Sequence, residues 1–154
     1  MRVLFVCLGN ICRSPSAEGV FRQQLLQAGL DGLVEVDSAG TGPWHVGKPA
    51  DSRASAAALQ RGYDLSALRG RQVSKADFER FDLILAMDHS NFADLKALQP
   101  ANSRAELDLY LRRYQLDEDE VPDPYYGGAD GFEHVLDLLE SAGAQLLNEV
   151  RGRL

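Results

Sequence analysis

Residues 2–7 read RVLFVC, apolar without interruption from Val3 to Cys7, and the chain turns at once into LGNICRSP. The run is a single strand that ends on Cys7. Arg13 follows six positions later, and Ser14 and Pro15 open an amphipathic helix. A strand ending there places the cysteine sulfur at the carboxyl edge of a sheet, where open α/β folds hold their ligands. Leu8, Gly9, Asn10, Ile11 and Cys12, together with Arg13, can wrap an anion in backbone N–H groups. The next helix aims its positive end at the same point. Those donors and Arg13 are expected to hold Cys7 as a thiolate near neutral pH. A thiolate, a guanidinium fork and a nest of amides suit attack on a phosphate monoester. The plainer alternative is a buried strand cysteine beside a Gly-Asn turn. Under it Cys7, Gly9, Arg13 and Ser14 each need a separate explanation.

Beyond this segment the pattern alternates. The first helix should run from Ser14 to about Ala28, with Val20, Phe21, Leu25 and Leu26 as its stripe and Gly29 as its stop. A second strand is expected over 33–38 (LVEVDS), then a Gly- and Pro-rich loop over 39–51 that carries the lone tryptophan, Trp44. A helix near 52–61 should stop at Gly62, and 75–79 reads as one helical turn. Residues 81–87 (FDLILAM) form a near-continuous apolar strand, as expected when both faces are covered. Asp88 or Ser90 can cap the helix that ends before Pro100. Residues 107–110 are a weaker strand candidate. An acidic loop, DEDEVPDPYYGG, leads to a last helix from about Gly131 to Val150. Its stripe is Phe132, Val135, Leu136, Leu139, Ala142, Leu146 and Leu147. Strands and helices alternating at these lengths predict one α/β domain over 1–154, a parallel sheet with helices on both faces.

At 154 residues the chain can bury a full core as one domain. The net charge of −7 argues against nucleic acid and anionic membranes as partners. No apolar run approaches about 18 residues, so no transmembrane segment is expected, and the absence of a signal peptide points to the cytoplasm. Cys7 and Cys12 in one loop make no disulfide framework. His45, His89 and His134 are scattered, so neither a metal nor another cofactor is expected.

The chain resembles the low-molecular-weight protein tyrosine phosphatases of the bacterial type. The resemblance rests on VCLGNICRSP at 6–15, DSAGT at 37–41, W-H-V-G at 44–47, RQVSKADFERFDLILAMD at 71–88 and VPDPYYGG at 121–128, in this order. It implies a four-stranded parallel sheet flanked by helices, with a phosphate-binding loop after the first strand. It implies metal-free hydrolysis of protein phosphotyrosine through a cysteinyl-phosphate intermediate. It further implies a monomer acting on a phosphotyrosine protein, a bacterial tyrosine autokinase being one candidate.

Residue by residue, Cys7 matches the nucleophile and Arg13 the arginine that binds the transferring phosphoryl group. Ser14 matches the serine that donates to the thiolate, with helix N-cap as the plainer role. Asn10 matches an asparagine that fixes the loop through a left-handed turn. Ser38 matches a serine behind it in the same network. Asp123 matches the general acid; Pro122 and Pro124 stiffen its placement, whereas Asp117, Glu118, Asp119 and Glu120 are competing carboxylates. Trp44, Tyr125 and Tyr126 match the aromatic walls of a slot for a phenyl phosphate. Asp88 is read mainly as a cap or loop anchor, and Arg53 as holding the 44–51 loop through a salt bridge. Cys12 is either packing or the partner of a reversible disulfide with Cys7. One position departs from the pattern: Leu68 stands where many members carry a histidine of the network behind Asn10 and Ser38.

Other readings remain. Thiol-dependent arsenate reduction on this fold passes a disulfide along three cysteines, and the chain has two. Protein arginine phosphatases of the same family carry threonine where Ile11 sits. A phosphopeptide-binding module that has lost catalysis would not need Cys7, Arg13, Ser14 and Asp123 all present.

Overall fold

The computed structural model describes residues 1–125 and 127–154. Its centre is a four-stranded parallel sheet in the order β2-β1-β3-β4, built from β1 (Arg2–Cys7), β2 (Glu35–Gly40), β3 (Leu83–Ala86) and β4 (Glu106–Leu109). Helix α1 (Arg13–Gln27) follows β1. The remaining helices are α2 (Ser52–Gln60), α3 (Asp77–Arg80), α4 (His89–Leu98), α5 (Tyr110–Arg113) and α6 (Ala129–Arg153).

Side-chain alternation along β1 divides the core into two layers. Val3, Phe5 and Cys7 face a layer formed with Val20, Phe21, Leu25, Leu139 and Leu146 of α1 and α6. Leu4 and Val6 face the other layer, with Phe78, Phe81, Ile84 and Leu95. The Phe5 ring stands edge-on to Phe21 at 6.1 Å and lies 5.2 Å from Tyr110. A buried side chain of this size contributes about 1.5–3 kcal/mol, so β1 is held firmly and Cys7 with it.

The chain leaves β1 to form β2 on one side, whereas β3 lies on the other. The switch point of the sheet therefore falls between the carboxyl ends of β1 and β3, where a crevice opens. Cys7 ends one of these strands, and Asp88 follows the other.

Several boundaries differ from the sequence reading. The second strand starts two residues later than expected, because Leu33 turns outward and is exposed. Leu26 also faces solvent, so the apolar stripe of α1 is Val20, Phe21 and Leu25. Helix α6 extends beyond both expected ends, and α5 was not anticipated. Gly29 and Gly62, with φ of 73° and 91°, end α1 and α2 in the left-handed region. Among the described residues, no helix is long and apolar enough to cross a membrane.

Candidate active site

The loop after β1 curls over the carboxyl end of the sheet. It can do so because β2 ends in Gly40. A Cβ on that residue would stand 2.7 Å from the Leu8 carbonyl oxygen. Asn10 takes the left-handed conformation (φ 57°) that the turn requires.

Cys7 is buried at the base of a cavity of about 390 Å³. Its Sγ lies 3.0 Å from Ser14 Oγ and accepts the Asn10 N–H at 3.3 Å. Leu8, Gly9, Ile11, Cys12, Arg13, Trp44, His45, Asp123 and Tyr125 line the same cavity. The Trp44 ring lies against Gly42, which has no side chain to obstruct it, and leaves its outer face exposed. Tyr126 falls outside the described residues.

Behind the loop, hydrogen bonds fix the direction of each donor. Asn10 Oδ1 accepts the Arg71 N–H at 3.0 Å, so its amide nitrogen faces the serines. That nitrogen donates to Ser14 Oγ at 2.8 Å and to Ser38 Oγ at 3.1 Å. Ser38 Oγ in turn donates to Glu18 Oε1 at 2.7 Å. Ser14 Oγ already accepts from Asn10, so its own proton is free for Cys7 Sγ or for the Ala39 carbonyl, 3.3 Å away. Ser14 is not the helix cap: α1 begins one residue earlier, with Cys12 at the cap position and no side-chain cap.

Glu18 was not singled out in the sequence, yet it closes this network where Leu68 offers no polar group. It is buried, and Arg22 Nε donates to its second oxygen at 2.8 Å. Burial pushes its carboxyl up from the ordinary range, against the pull of Ser38 and Arg22. The signal was its spacing: Glu18 lies one helical turn after Ser14 and one before Arg22, on a shared face. Leu68 instead packs, half-buried, on the apolar layer beneath α1.

Arg13 is buried and reaches the cavity from α1. Its Nη1 donates to Asp88 Oδ2 at 2.6 Å and to the Val121 carbonyl at 3.1 Å. Burial opposes its charge, but Cys7, Asp88 and Asp123 outweigh that and hold the guanidinium above the ordinary arginine range. Asp88 does more than the sequence suggested. It caps α4, accepting the Asn91 N–H at 2.7 Å, and it also aims Arg13.

Of the acidic residues between 117 and 123, Asp123 is the one that lines the cavity. Its Oδ2 lies 3.7 Å from Arg13 Nη2, and its Oδ1 accepts the Tyr125 N–H at 3.0 Å. The Val121 N–H, bonded to the Met87 carbonyl at 2.8 Å, ties this segment to the end of β3. Glu120 turns away to accept the His89 N–H, and Glu118 pairs with His134. His45, for which no role is expected from its sequence context, also lines the cavity, with its ring against Gly9. Among the described residues, no group of His, Cys, Asp and Glu could hold a metal ion.

Cys12 is buried beside Ala54 and Phe132. Burial, followed by the negative charges of Asp51, Cys7 and Asp123, pushes its thiol up to about 12. It therefore stays protonated at neutral pH, and both cysteines are free.

A sulfur at the sheet edge, a loop of amides, a buried guanidinium and a carboxyl group in the same cavity compose a cysteine-based phosphatase site. Comparison with known proteins agrees. Residues 2–153 match the family model "Low molecular weight phosphotyrosine protein phosphatase". A low molecular weight protein-tyrosine-phosphatase of Streptomyces coelicolor is 47% identical over 154 residues, covering 97% of this chain and 93% of that protein. The crystal structure of a protein tyrosine phosphatase from Entamoeba histolytica, with Hepes in its active site, superposes with a TM-score of 0.94 at 40% identity, covering 100% of this chain and 99% of the other. A Drosophila arginine phosphatase superposes at 0.90 with 32% identity, over 97% and 98% of the two chains. The chain belongs to the low molecular weight phosphotyrosine protein phosphatases, which hydrolyse protein phosphotyrosine through a cysteine nucleophile.

Proposed function

We propose that Cys7, Arg13 and Asp123 divide the chemistry as nucleophile, transition-state clamp and general acid. Cys7 Sγ attacks phosphorus in line, and the bond to the tyrosyl oxygen breaks on the far side. Arg13 and the amides of residues 8–13 receive the equatorial oxygens, whose charge they are placed to stabilise. Asp123 passes its proton to the departing phenolate. As a carboxylate it then takes a proton from the water that hydrolyses the cysteinyl-phosphate, and the free thiolate and inorganic phosphate result. Ser14 and Asn10 orient donors toward the sulfur, and Ser38 holds Asn10. One observation supports this most directly: Cys7, Arg13 and Asp123 line one cavity, and the Asp123 carboxyl lies 3.7 Å from the Arg13 guanidinium.

Trp44 and Tyr125 form the walls of the entrance, joined by the methyl groups of Ile11. A flat aryl ring fits between such walls, whereas the short side chain of phosphoserine leaves phosphorus too shallow to reach Cys7. We assign Tyr126 to the same wall on the family pattern. The whole chain acts as one domain, as a monomer in the cytoplasm, on tyrosine-phosphorylated proteins; a bacterial tyrosine autokinase is a substrate of this class.

Phosphate release from phosphotyrosine, phosphoserine and phosphoarginine peptides, with chelator present, tests the reading, using wild type and Asp123→Asn. Phosphotyrosine should be hydrolysed at least about 100-fold faster than the others. Asp123→Asn should slow it by about 100-fold while costing less than about fivefold on an aryl phosphate whose phenol is strongly acidic, because that leaving group needs little protonation. Preference for phosphoarginine would overturn the substrate assignment. Equal losses on both aryl substrates would leave Asp123 without its role as acid.

Cys12 is proposed to protect the nucleophile. Peroxide converts the Cys7 sulfur to sulfenic acid, and the Cys12 thiol displaces water from it to give a disulfide. Wild type treated with mild peroxide should lose about 2 Da and recover activity with a dithiol. Cys12→Ala should instead gain about 32 Da and stay inactive. A wild type that gains about 32 Da without the loss of 2 Da would reduce Cys12 to packing.

A further inference from the structure

Arg53 lies outside the cavity, yet it is bound on several sides. Its Nε and Nη2 each reach Asp51 at 3.2 Å. Nη2 also donates to the Tyr125 carbonyl at 2.9 Å. The guanidinium carbon stands 5.3 Å from the centre of the Tyr125 ring and 5.0 Å from that of Phe132. At these separations an arginine is attracted to each ring face.

Both neighbours of Arg53 lead into the site. The Asp51 N–H donates to the Ile11 carbonyl at 2.8 Å, so Asp51 is fastened to the phosphate loop that begins at Cys7. The Asp51 carboxylate also caps α2 through the Arg53 and Ala54 N–H groups, which fixes its orientation. On the other side, Tyr125, whose carbonyl Arg53 holds, donates its N–H to Asp123. A continuous path therefore runs from the phosphate loop through Asp51, Arg53 and Tyr125 to the Asp123 carboxyl group.

The segment that carries that carboxyl is irregular. Residues 114–125 contain neither helix nor strand, and α6 starts only at Ala129. The upstream side is tied to β3 at Val121, and downstream of Asp123 Arg53 holds the Tyr125 carbonyl.

We propose that Arg53, braced by Asp51, is a positioning residue that sets the distance between the general acid and the nucleophile's loop. The proposal rests on Asp123 acting as the acid. A proton donor has to come within about 2.6–3.2 Å of the leaving oxygen, and a displacement near 1 Å can cost about 100-fold in rate. Arg53 is exposed and fills no core space, so its removal should loosen the acid segment rather than unfold the domain. A lysine here would keep the charge. Its single ammonium could not grip Asp51 and the Tyr125 carbonyl together while stacking on two rings.

The test uses Arg53→Ala, Asp123→Asn and the double variant in the full chain. Each is assayed on a phosphotyrosine peptide and on an aryl phosphate with a strongly acidic phenol. Arg53→Ala should lower kcat on phosphotyrosine by about 10- to 30-fold, and on the activated ester by less than about threefold. Added to Asp123→Asn, it should cost less than about twofold further, because the acid it positions is already gone. Arg53→Lys should recover only part of the loss. A merely structural role gives a different pattern: a smaller folded fraction lowers both substrates by the same factor. Equal losses on the two substrates in Arg53→Ala, or a full further loss in the double variant, would overturn the proposal. If Asp123→Asn itself showed equal losses, the acid assignment would fail first, and the positioning role with it.

Discussion

Cys7→Ser should reduce kcat on phosphotyrosine to less than about 0.1% of wild type while leaving phosphotyrosine bound. The surroundings of residue 7 explain why. A sulfur attacks once it is a thiolate, and the groups placed around it, the Asn10 N–H and Ser14 Oγ, suit an anionic acceptor. A serine hydroxyl would first have to lose its proton, and among the described residues the groups that hydrogen-bond to the position 7 side chain include no base. Ser14 and Asn10 are donors, Arg13 is a cation, and Asp123 is assigned to the leaving group on the opposite side. A loss of 1,000-fold corresponds to about 4 kcal/mol in the barrier. Binding depends on different groups, the loop amides and Arg13, and the substitution leaves those in place. Calorimetric titration of the variant with a phosphotyrosine peptide should therefore give a Kd within about tenfold of the KM-based estimate for wild type. Turnover above about 1% of wild type would move the nucleophile to another residue.

The parts of the fold that were legible in the sequence are those where a local signal and the tertiary solution coincide. RVLFVC reads as a buried strand and is one, because both faces of β1 are covered. Gly29 and Gly62 marked helix ends that require positive φ. The misplacements come from residues whose apolar character was not used in the core. Leu33 and Leu26 suggested a strand start and a helix stripe, but each points to solvent. Helix α5 is a single turn directly after β4 and has no periodicity to detect. At the site, Cys7, Arg13 and Asp123 were singled out, Asp123 by its flanking prolines and the family resemblance, and all three line one cavity. The cap role of Asp88 was legible too, but its pairing with Arg13, and that of Glu18 with Ser38, were not, because the partners are distant in sequence. Sequence spacing shows which residues share a helix face, and only the packing of α1 against the sheet shows what that face meets. Leu68 illustrates the same limit. Its departure from the family pattern could be seen, but the carboxylate that completes the network could not.

Arg13→Lys should lower kcat/KM on phosphotyrosine by about 1,000-fold, close to 4 kcal/mol of transition-state stabilisation. Two requirements meet at this side chain. On the inner side Nη1 is committed to Asp88 and the Val121 carbonyl, which orients the fork. Arg13 also lines the cavity, where its Nη2 lies 3.7 Å from Asp123, and among the described residues no hydrogen bond holds Nε or Nη2. In the trigonal transition state they can bridge two equatorial oxygens that spread apart as the leaving oxygen departs. The ground-state tetrahedron matches that fork less well, so the contribution falls mainly on kcat. A lysine ammonium is a compact charge with no second arm. If it satisfies Asp88 and the Val121 carbonyl it withdraws from the cavity, and if it turns to the phosphoryl group it leaves Asp88 without its partner in a largely buried place. Either way the bidentate grip is lost. The loss should appear mainly in kcat, with KM changing by less than about tenfold because the loop amides still bind the dianion. A variant whose kcat/KM stays within about tenfold of wild type would show that charge alone, without the fork, accounts for the role of Arg13.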